Sequence, residues 1–214
     1  MPEALAWLLD SAREQYFAKG EIVLLEGEPC PGLFVVKSGT VKLYRSSPKG
    51  DEHIMRLVYC GGCFECAPIF DRGPNPVSAQ ALETSEILFI PASRFESLVN
   101  SHPEVVLQIV PILAMRLRNL LDKVEDLSFK RVFPRVAKLV WQLAERRDQD
   151  PILTPSPLLT QQHLACIVGC SRQLLNSSLR ELVKRGIIKM EKRHIIVLKP
   201  EALAELTCSE ISDE

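Results

Sequence analysis

Between Phe17 and about Pro91 the chain repeats one pattern: short runs of β-branched and apolar residues, each broken by glycine. EIVLLEGE, LFVVKSGTVKLYRS, EHIMRLVY and EILFIP carry the apolar residues, and Gly20, Gly27, Gly32, Gly39, Gly50 and Gly61-Gly62 separate them. That spacing predicts an all-β sandwich or barrel. In GTVKLYRSS, Val41, Leu43 and Arg45 alternate with Thr40, Lys42 and Tyr44, which predicts a half-buried strand with one covered face. SPKGDE reads as the turn that follows it.

Beyond Pro91 the period lengthens to that of a helix. Leu113, Leu117, Leu120, Val124 and Leu127 recur at spacings of four and three, with Arg116, Arg118, Asp122 and Glu125 placed away from the stripe. Pro111 is expected to break or begin this helix, because a proline suits only a first helical turn. An apolar seam of this length needs a partner. A second copy of the helix is one solution, and packing on the chain's own β-domain is the other. VFPRVAKLVWQLAER is a second amphipathic helix, RDQDPILTPSP a polar, proline-rich loop, and LTQQHLACIVGC and SRQLLNSSLRELVKRG two short helices. IIKMEKRHIIVLKP supplies two short strands around a charged turn. Thr160 and Ser171 are expected N-caps, and Gly186 suits the left-handed position after LVKR.

The formal net charge of −1 conceals segregation. Residues 130–200 hold 14 lysines and arginines against 5 acids, a net +9, which leaves 12 basic and 22 acidic residues elsewhere. A basic module on an acidic body is the footprint of a polyanion-binding domain. No apolar run reaches the length of a membrane span, the N-terminus lacks the features of a signal peptide, and the cysteine count is an odd seven. The expectation is a cytoplasmic protein with reduced thiols and no membrane partner.

Two short helices around a turn containing Gly169, followed by a β-hairpin, describe a winged helix-turn-helix. Ala165, Ile167 and Val168 are expected to pack the first helix on the second, with Leu174, Leu175, Leu179 and Leu182 as the inner face. Ser171, Arg172, Gln173, Asn176 and Ser177 then face outward, with Arg180 farther along. Arginine can donate two hydrogen bonds to guanine O6 and N7, glutamine or asparagine pairs with adenine, and serine serves phosphate or base. Lys184, Arg185, Lys189, Lys192 and Arg193 supply phosphate-neutralising charge around the wing.

IVGCSRQLLNSSLRELVKRGII resembles the recognition segment of the Crp/Fnr superfamily of bacterial transcription regulators, and the β-region, long helix and hinge follow in the same order. The resemblance implies an α+β chain in three parts: a β jelly-roll sensor domain of the cyclic-nucleotide-binding type (residues 1–110), a dimerisation helix (111–129) and a winged helix-turn-helix DNA-binding domain (130–214). It implies a homodimer that reads a two-fold symmetric operator in double-stranded DNA, with RNA polymerase as a further partner and a hinge near Phe129–Phe133. Arg172 matches the family's guanine-reading arginine and Gln173 the neighbouring base-contacting glutamate. Ser177 stands where the family usually has a second arginine, so no operator sequence carries over.

Cyclic-nucleotide-binding members carry a cassette in which a glutamate holds the ribose and an arginine the cyclic phosphate. Here Cys66 stands at the glutamate and Pro76 at the arginine, while Leu120-Leu121 replaces the Thr-Ser pair that reads adenine. The expectation is a regulator that does not use cyclic AMP in the familiar manner. CFECAPIFDRGPNPVSAQA is more similar to the loop of the nitric-oxide-responsive denitrification regulators, which implies a gas or haem signal. Phe64, Glu65, Cys66, Pro76, Ser78, Leu120 and Leu121 are the effector-pocket candidates.

Cys60, Cys63 and Cys66 form a C-x₂-C-x₂-C run whose thiolates could converge on one metal, with Cys30, followed by proline, as a fourth ligand. An iron–sulfur cluster or another thiolate-bound metal is one reading. Haem comes second; His53, His102, His163 and His194 are scattered singly and read as surface or structural, with any one of them the alternative haem ligand. Redox thiols and small buried hydrophobes are the competing readings of the cysteines. Cys166 and Cys170 are expected in the core, and Cys208 in a polar tail. An enzyme reading has little support: no Gly-rich phosphate loop, nucleophile elbow or HExxH is present. The rival from another class is an electron-transfer or metal-handling protein built around CGGCFEC with an incidental basic domain.

Overall fold

The glycine-punctuated segments form eight strands: β1 (Arg13–Phe17), β2 (Ile22–Leu24), β3 (Gly32–Ser38), β4 (Val41–Ser46), β5 (Glu52–Val58), β6 (Cys63–Phe64), β7 (Ser78–Ala81) and β8 (Ser85–Pro91). The computed structural model describes residues 12–64, 66–149, 159–191 and 194–208. The chain divides into two units, Met1–Asn119 and Leu120–Glu214. Among the described residues no single helix is long and apolar enough to cross a membrane.

In the first unit the strands make two antiparallel four-stranded sheets, in the orders β1-β8-β3-β6 and β2-β7-β4-β5. Phe34, Val36 and Ile87 of one sheet meet Leu24, Val41, Leu43, Val58 and Ala79 of the other in a single buried cluster, the arrangement expected of a β-sandwich. Gly39 turns β3 into β4 with φ +84°, and a Cβ there would stand 2.3 Å from the Ser85 hydroxyl oxygen, so glycine is required. The one-sided reading of β4 is corrected by the structure: Val41, Lys42, Leu43 and Tyr44 are all buried. Lys42, only 3% exposed, pairs with Glu52 and lies over the Tyr44 ring at 4.2 Å. Burial of that ammonium is sustained by the carboxylate and the ring face together.

The outer face of the first sheet is covered by helices α1 (Cys66–Asp71) and α2 (Ala92–Ser101) and by the first part of α3 (Glu104–Phe129). Leu33, Ile69, Ile90 and Phe95 form a second cluster there, joined by Cys30, Cys63, Ile109 and Leu113. Helix α3 starts at Glu104, so Pro111 neither begins nor breaks it but lies inside it. Its ring removes one intrahelical bond, and the packing of Ile109 and Leu113 on either side compensates.

The second unit contains the remainder of α3, then α4 (Val132–Gln149), α5 (Gln161–Val168), α6 (Arg172–Lys184), the hairpin β9 (Ile188–Glu191) and β10 (His194–Val197), and α7 (Pro200–Cys208). Val136, Val140, Leu164, Val168, Leu175, Leu179, Leu182, Ile188 and Leu203 share one core. Helix α7 was not expected from the sequence, although Pro200 at its first position is a start signal. The break between α3 and α4 falls at Lys130-Arg131, within the expected hinge. Asp126 accepts hydrogen bonds from Lys138 of α4 and from Lys130, whose Nζ also donates to the Thr207 carbonyl at 3.0 Å.

Two outcomes follow from this packing. Leu175 is fully buried, so Leu175→Ala should lower the stability of the second unit by about 2–5 kcal/mol, read from denaturant unfolding followed by Trp141 fluorescence. Burial alone would raise the Asp126 carboxyl, but the hydrogen bonds from Lys138 and Lys130 outweigh it and hold the carboxyl below its ordinary range. A carboxyl with a lowered folded pKa stabilises above its unfolded value and loses that contribution as pH falls through the folded one. The melting temperature of the second unit should therefore drop below about pH 4, and drop less steeply in Asp126→Asn.

Candidate nucleic-acid interface and sensing site

Helix α6 is fixed at both ends and along one side. The Ser171 hydroxyl accepts the Leu174 N–H at 3.2 Å, and the Thr160 hydroxyl caps α5 in the same way through the His163 N–H at 3.1 Å. Gly169, at φ +73°, makes the turn between the two helices, and Gly186 lies left-handed just beyond α6. Leu175, Leu179 and Leu182 point into the core, as does Ser178. Leu174, expected on that face, is 49% exposed instead. It lies one position ahead of Leu175 and about 100° around the helix from it.

That anchoring presents Ser171, Arg172, Gln173, Ser177 and Arg180 to solvent, with Asn176 half-buried beside them. Arg172 directs Nε and Nη2 towards Gln161 Oε1 at 3.4 Å each, which brings its guanidinium alongside the start of α5. Lys184, Arg185 and Lys189 are exposed. Arg185 bonds Glu181 at 2.8 Å and lies 5.0 Å from the Phe133 ring centre. Lys192 and Arg193 lie outside the described residues. Cys166 is buried and Cys170 half-buried against the core, as expected. Burial pushes the Cys170 thiol up, with Arg135 opposing in part. The side chain of Cys208, at the end of α7, lies outside the described residues.

The effector candidates fall in both units: Phe64, Pro76 and Ser78 in the first, Leu120 and Leu121 in the second. Phe64 is fully buried and stacks on Phe34 at 5.1 Å, so its ring is engaged in core packing. The Ser78 hydroxyl accepts the Glu26 N–H at 3.0 Å. Pro76, Leu120 and Leu121 are exposed. Glu65 and the side chain of Cys66 lie outside the described residues.

The three described thiols of the metal reading each have a separate neighbour. Cys30 donates to the Gly32 carbonyl at 3.4 Å and Cys60 to the Lys37 carbonyl at 3.0 Å. Cys63 Sγ lies 3.2 Å from Arg116 Nη2. Among the described residues no group of three His, Cys, Asp or Glu side chains could hold a metal ion. Of the histidines, His102 bonds Glu104 at 3.1 Å, His53 and His163 are half-buried, and the His194 side chain lies outside the described residues.

Two arginines were missed from the sequence. Arg56 Nη2 donates to the Cys63 carbonyl at 2.7 Å, and Arg116 Nη2 donates to the same oxygen at 2.5 Å. Arg116 was placed on the solvent side of α3, yet it shares the helix face of Ile109 and Leu113, at the i, i+4, i+7 spacing that could have revealed it.

A two-sheet β-domain, a long helix and a capped helix-turn-helix with a wing define a DNA-binding regulator with a nucleotide-binding-type sensor fold. The model of the cyclic nucleotide-binding domain matches residues 14–102, and that of the Crp-like helix-turn-helix domain residues 134–206. The CRP-like cAMP-activated global transcriptional regulator of Mycobacterium tuberculosis is 33% identical over 95% of this chain and 92% of its own length. The fumarate and nitrate reduction regulatory protein of Escherichia coli is 25% identical, covering 91% of this chain and 78% of that protein. Among solved structures, FixK2 of Bradyrhizobium japonicum superposes with a TM-score of 0.78 at 21% identity, over 92% of this chain and 98% of that one. The chain belongs to the Crp/Fnr family of transcription regulators. The helix-turn-helix match gives the basic segment a family role of its own, in place of the incidental one that the electron-transfer reading required.

Proposed function

We propose that this protein is an effector-responsive, sequence-specific regulator that binds a two-fold symmetric operator as a homodimer, in the cytoplasm, and recruits or contacts RNA polymerase there. The observation that carries this reading is the exposed face of α6. Ser171, Arg172, Gln173 and Ser177 lie together at the end of the helix that enters a major groove in helix-turn-helix proteins. Arg172 would read guanine, and the exposed cations after it would neutralise phosphates. The domain boundaries proposed are a sensor domain to residue 110, a dimerisation helix to 129 and a DNA-binding domain beyond.

Dimerisation is supported by α3. None of its residues is fully buried, and Leu117, Leu120, Val124 and Leu127, at a 3-4-3 spacing, are 59%, 46%, 61% and 45% exposed. This is the seam of a two-stranded coiled coil. A second copy of the helix would cover it.

The signal proposed is redox, metal or gas, received in the β-domain, and not cyclic AMP bound in the familiar manner. Cys66 and Pro76 occupy the two cassette positions where carboxylate and guanidinium are needed, and the hydroxyl of Ser78 is engaged by the Glu26 backbone. The Arg116 guanidinium 3.2 Å from the Cys63 sulfur supports thiol chemistry among these signals. An effector would shift the population of DNA-binding poses.

Two experiments test the reading. After selection of an operator from genomic fragments, Arg172→Ala should cost about 1–3 kcal/mol of operator affinity while nonspecific binding and its salt slope stay unchanged. Equal operator affinity in variant and wild type would refute the assignment. In Val124→Asp with Leu117→Asp, sedimentation equilibrium should show a monomer where the wild type is a dimer. A persistent dimer would move the interface elsewhere.

A further inference from the structure

DNA reading does not use the chemistry of CGGCFEC. Cys63 stands opposite Val35 in the β3–β6 ladder and is half-buried. Guanidiniums from two elements, Arg56 of β5 and Arg116 of α3, meet at its carbonyl, and Arg116 also touches its sulfur. A guanidinium in that position favours the anionic, nucleophilic form of the thiol. Cys60 is exposed, on the turn closed by the Gly62 N–H to the Tyr59 carbonyl at 2.9 Å, and its sulfur rests on the Lys37 carbonyl. Both cysteines are thus pinned along β3, at Val35 and Lys37. Cys60 and Cys63 are separated by two residues in sequence, the spacing of a C-x₂-C pair, and both contact the same strand. Gly61 and Gly62 between them supply the backbone freedom for a small approach.

We propose that Cys63 and Cys60 form a reversible thiol switch operated by a peroxide-class oxidant, in which Cys63 is the reacting thiol, Cys60 the resolving thiol and Arg116 the group released. This deepens the reading of the β-domain as the sensing part and rests on it. The Cys63 thiolate attacks one peroxide oxygen. The O–O bond breaks, sulfur is oxidised by two electrons to the sulfenic acid, and the other oxygen leaves as hydroxide and takes up a proton as water. Cys60 then attacks the Cys63 sulfur. An S–S bond forms, the S–O bond breaks, and a second water leaves with the thiol proton. Two equivalents of a low-molecular-weight thiol then reduce the disulfide by exchange, restoring both cysteine thiols and leaving as their own disulfide. Oxidation draws the Cys63 sulfur away from Arg116 and removes one of the contacts that hold α3 to the first sheet, beside Ile109 and Leu113.

The test uses reduced full-length protein, with iron and zinc content determined, and iodoacetamide labelling of each cysteine followed by peptide mass spectrometry. Cys63 should label at least about tenfold faster than buried Cys166, and Arg116→Gln should slow Cys63 by about tenfold while leaving Cys60 unchanged. Hydrogen peroxide should yield a Cys60–Cys63 disulfide that dithiothreitol removes. In Cys60→Ser the reaction should stop at a sulfenic acid trapped by dimedone. Labelling of Cys63 as slow as that of Cys166, indifference to Arg116→Gln in a variant with wild-type circular dichroism, or stoichiometric metal held by these thiols would overturn the proposal. A disulfide from Cys63 to Cys66 would overturn the role of Cys60. DNA binding measured on the same samples separates the two readings: its absence in every redox state would sink the regulator and leave the thiol chemistry standing.

Discussion

The burial of one side of α6 is the constraint on which the DNA-binding unit depends. Leu175, Leu179 and Leu182 lock the rotation of the helix against α4 and α5, and Ser171 fixes where its first turn begins. With rotation and start both set, the outward positions are no longer free to choose. Arg172, Gln173 and Ser177 face solvent because their neighbours in sequence face the core. Specificity in such a protein is a by-product of hydrophobic registry, since a recognition helix turned by one residue would present different side chains to the base edges.

A comparable logic holds in the β-domain, where the few polar groups drawn inside each meet a partner. Lys42 is buried against Glu52 and Tyr44, Thr40 donates to Glu83 at 2.8 Å, and Arg56 and Arg116 converge on one carbonyl. Each such group loses hydration and is retained only where a partner restores it. The result is a sheet pair with an apolar centre, in which Phe34 stacks on Phe64. Helix α3 serves both environments, packing Ile109 and Leu113 on the sheet and leaving the apolar seam from Leu117 onward uncovered.

Much of this was legible in the sequence because it rests on local chemistry. The glycine punctuation specified the strands, and Thr160, Ser171, Gly169 and Gly186 specified the ends of two helices, since caps and left-handed positions act within a few residues. What escaped was set by distant partners. Lys42 alternated correctly for an exposed face, and only Glu52 and Tyr44 explain its burial. Pro111 suited only a first helical turn by its missing N–H and its ring, and the packing on either side of it prevailed. Leu174 belonged to an apolar run whose exact boundary depends on the rotation of α6. Arg116 looked like a solvent charge until the Cys63 carbonyl stood in front of it. Of the site, the solvent-facing residues of α6 were readable, whereas the separate neighbours of the cysteines were not.

The central claim is that two copies of this chain place two α6 helices in major grooves on one side of a DNA duplex. Hydroxyl-radical footprinting on a fragment selected by the purified full-length protein tests it most directly. The account predicts protection related by a dyad, with half-site centres about one helical turn, roughly 10 base pairs, apart or a multiple of that. A single asymmetric patch, or uniform protection that fades evenly with salt, would contradict it.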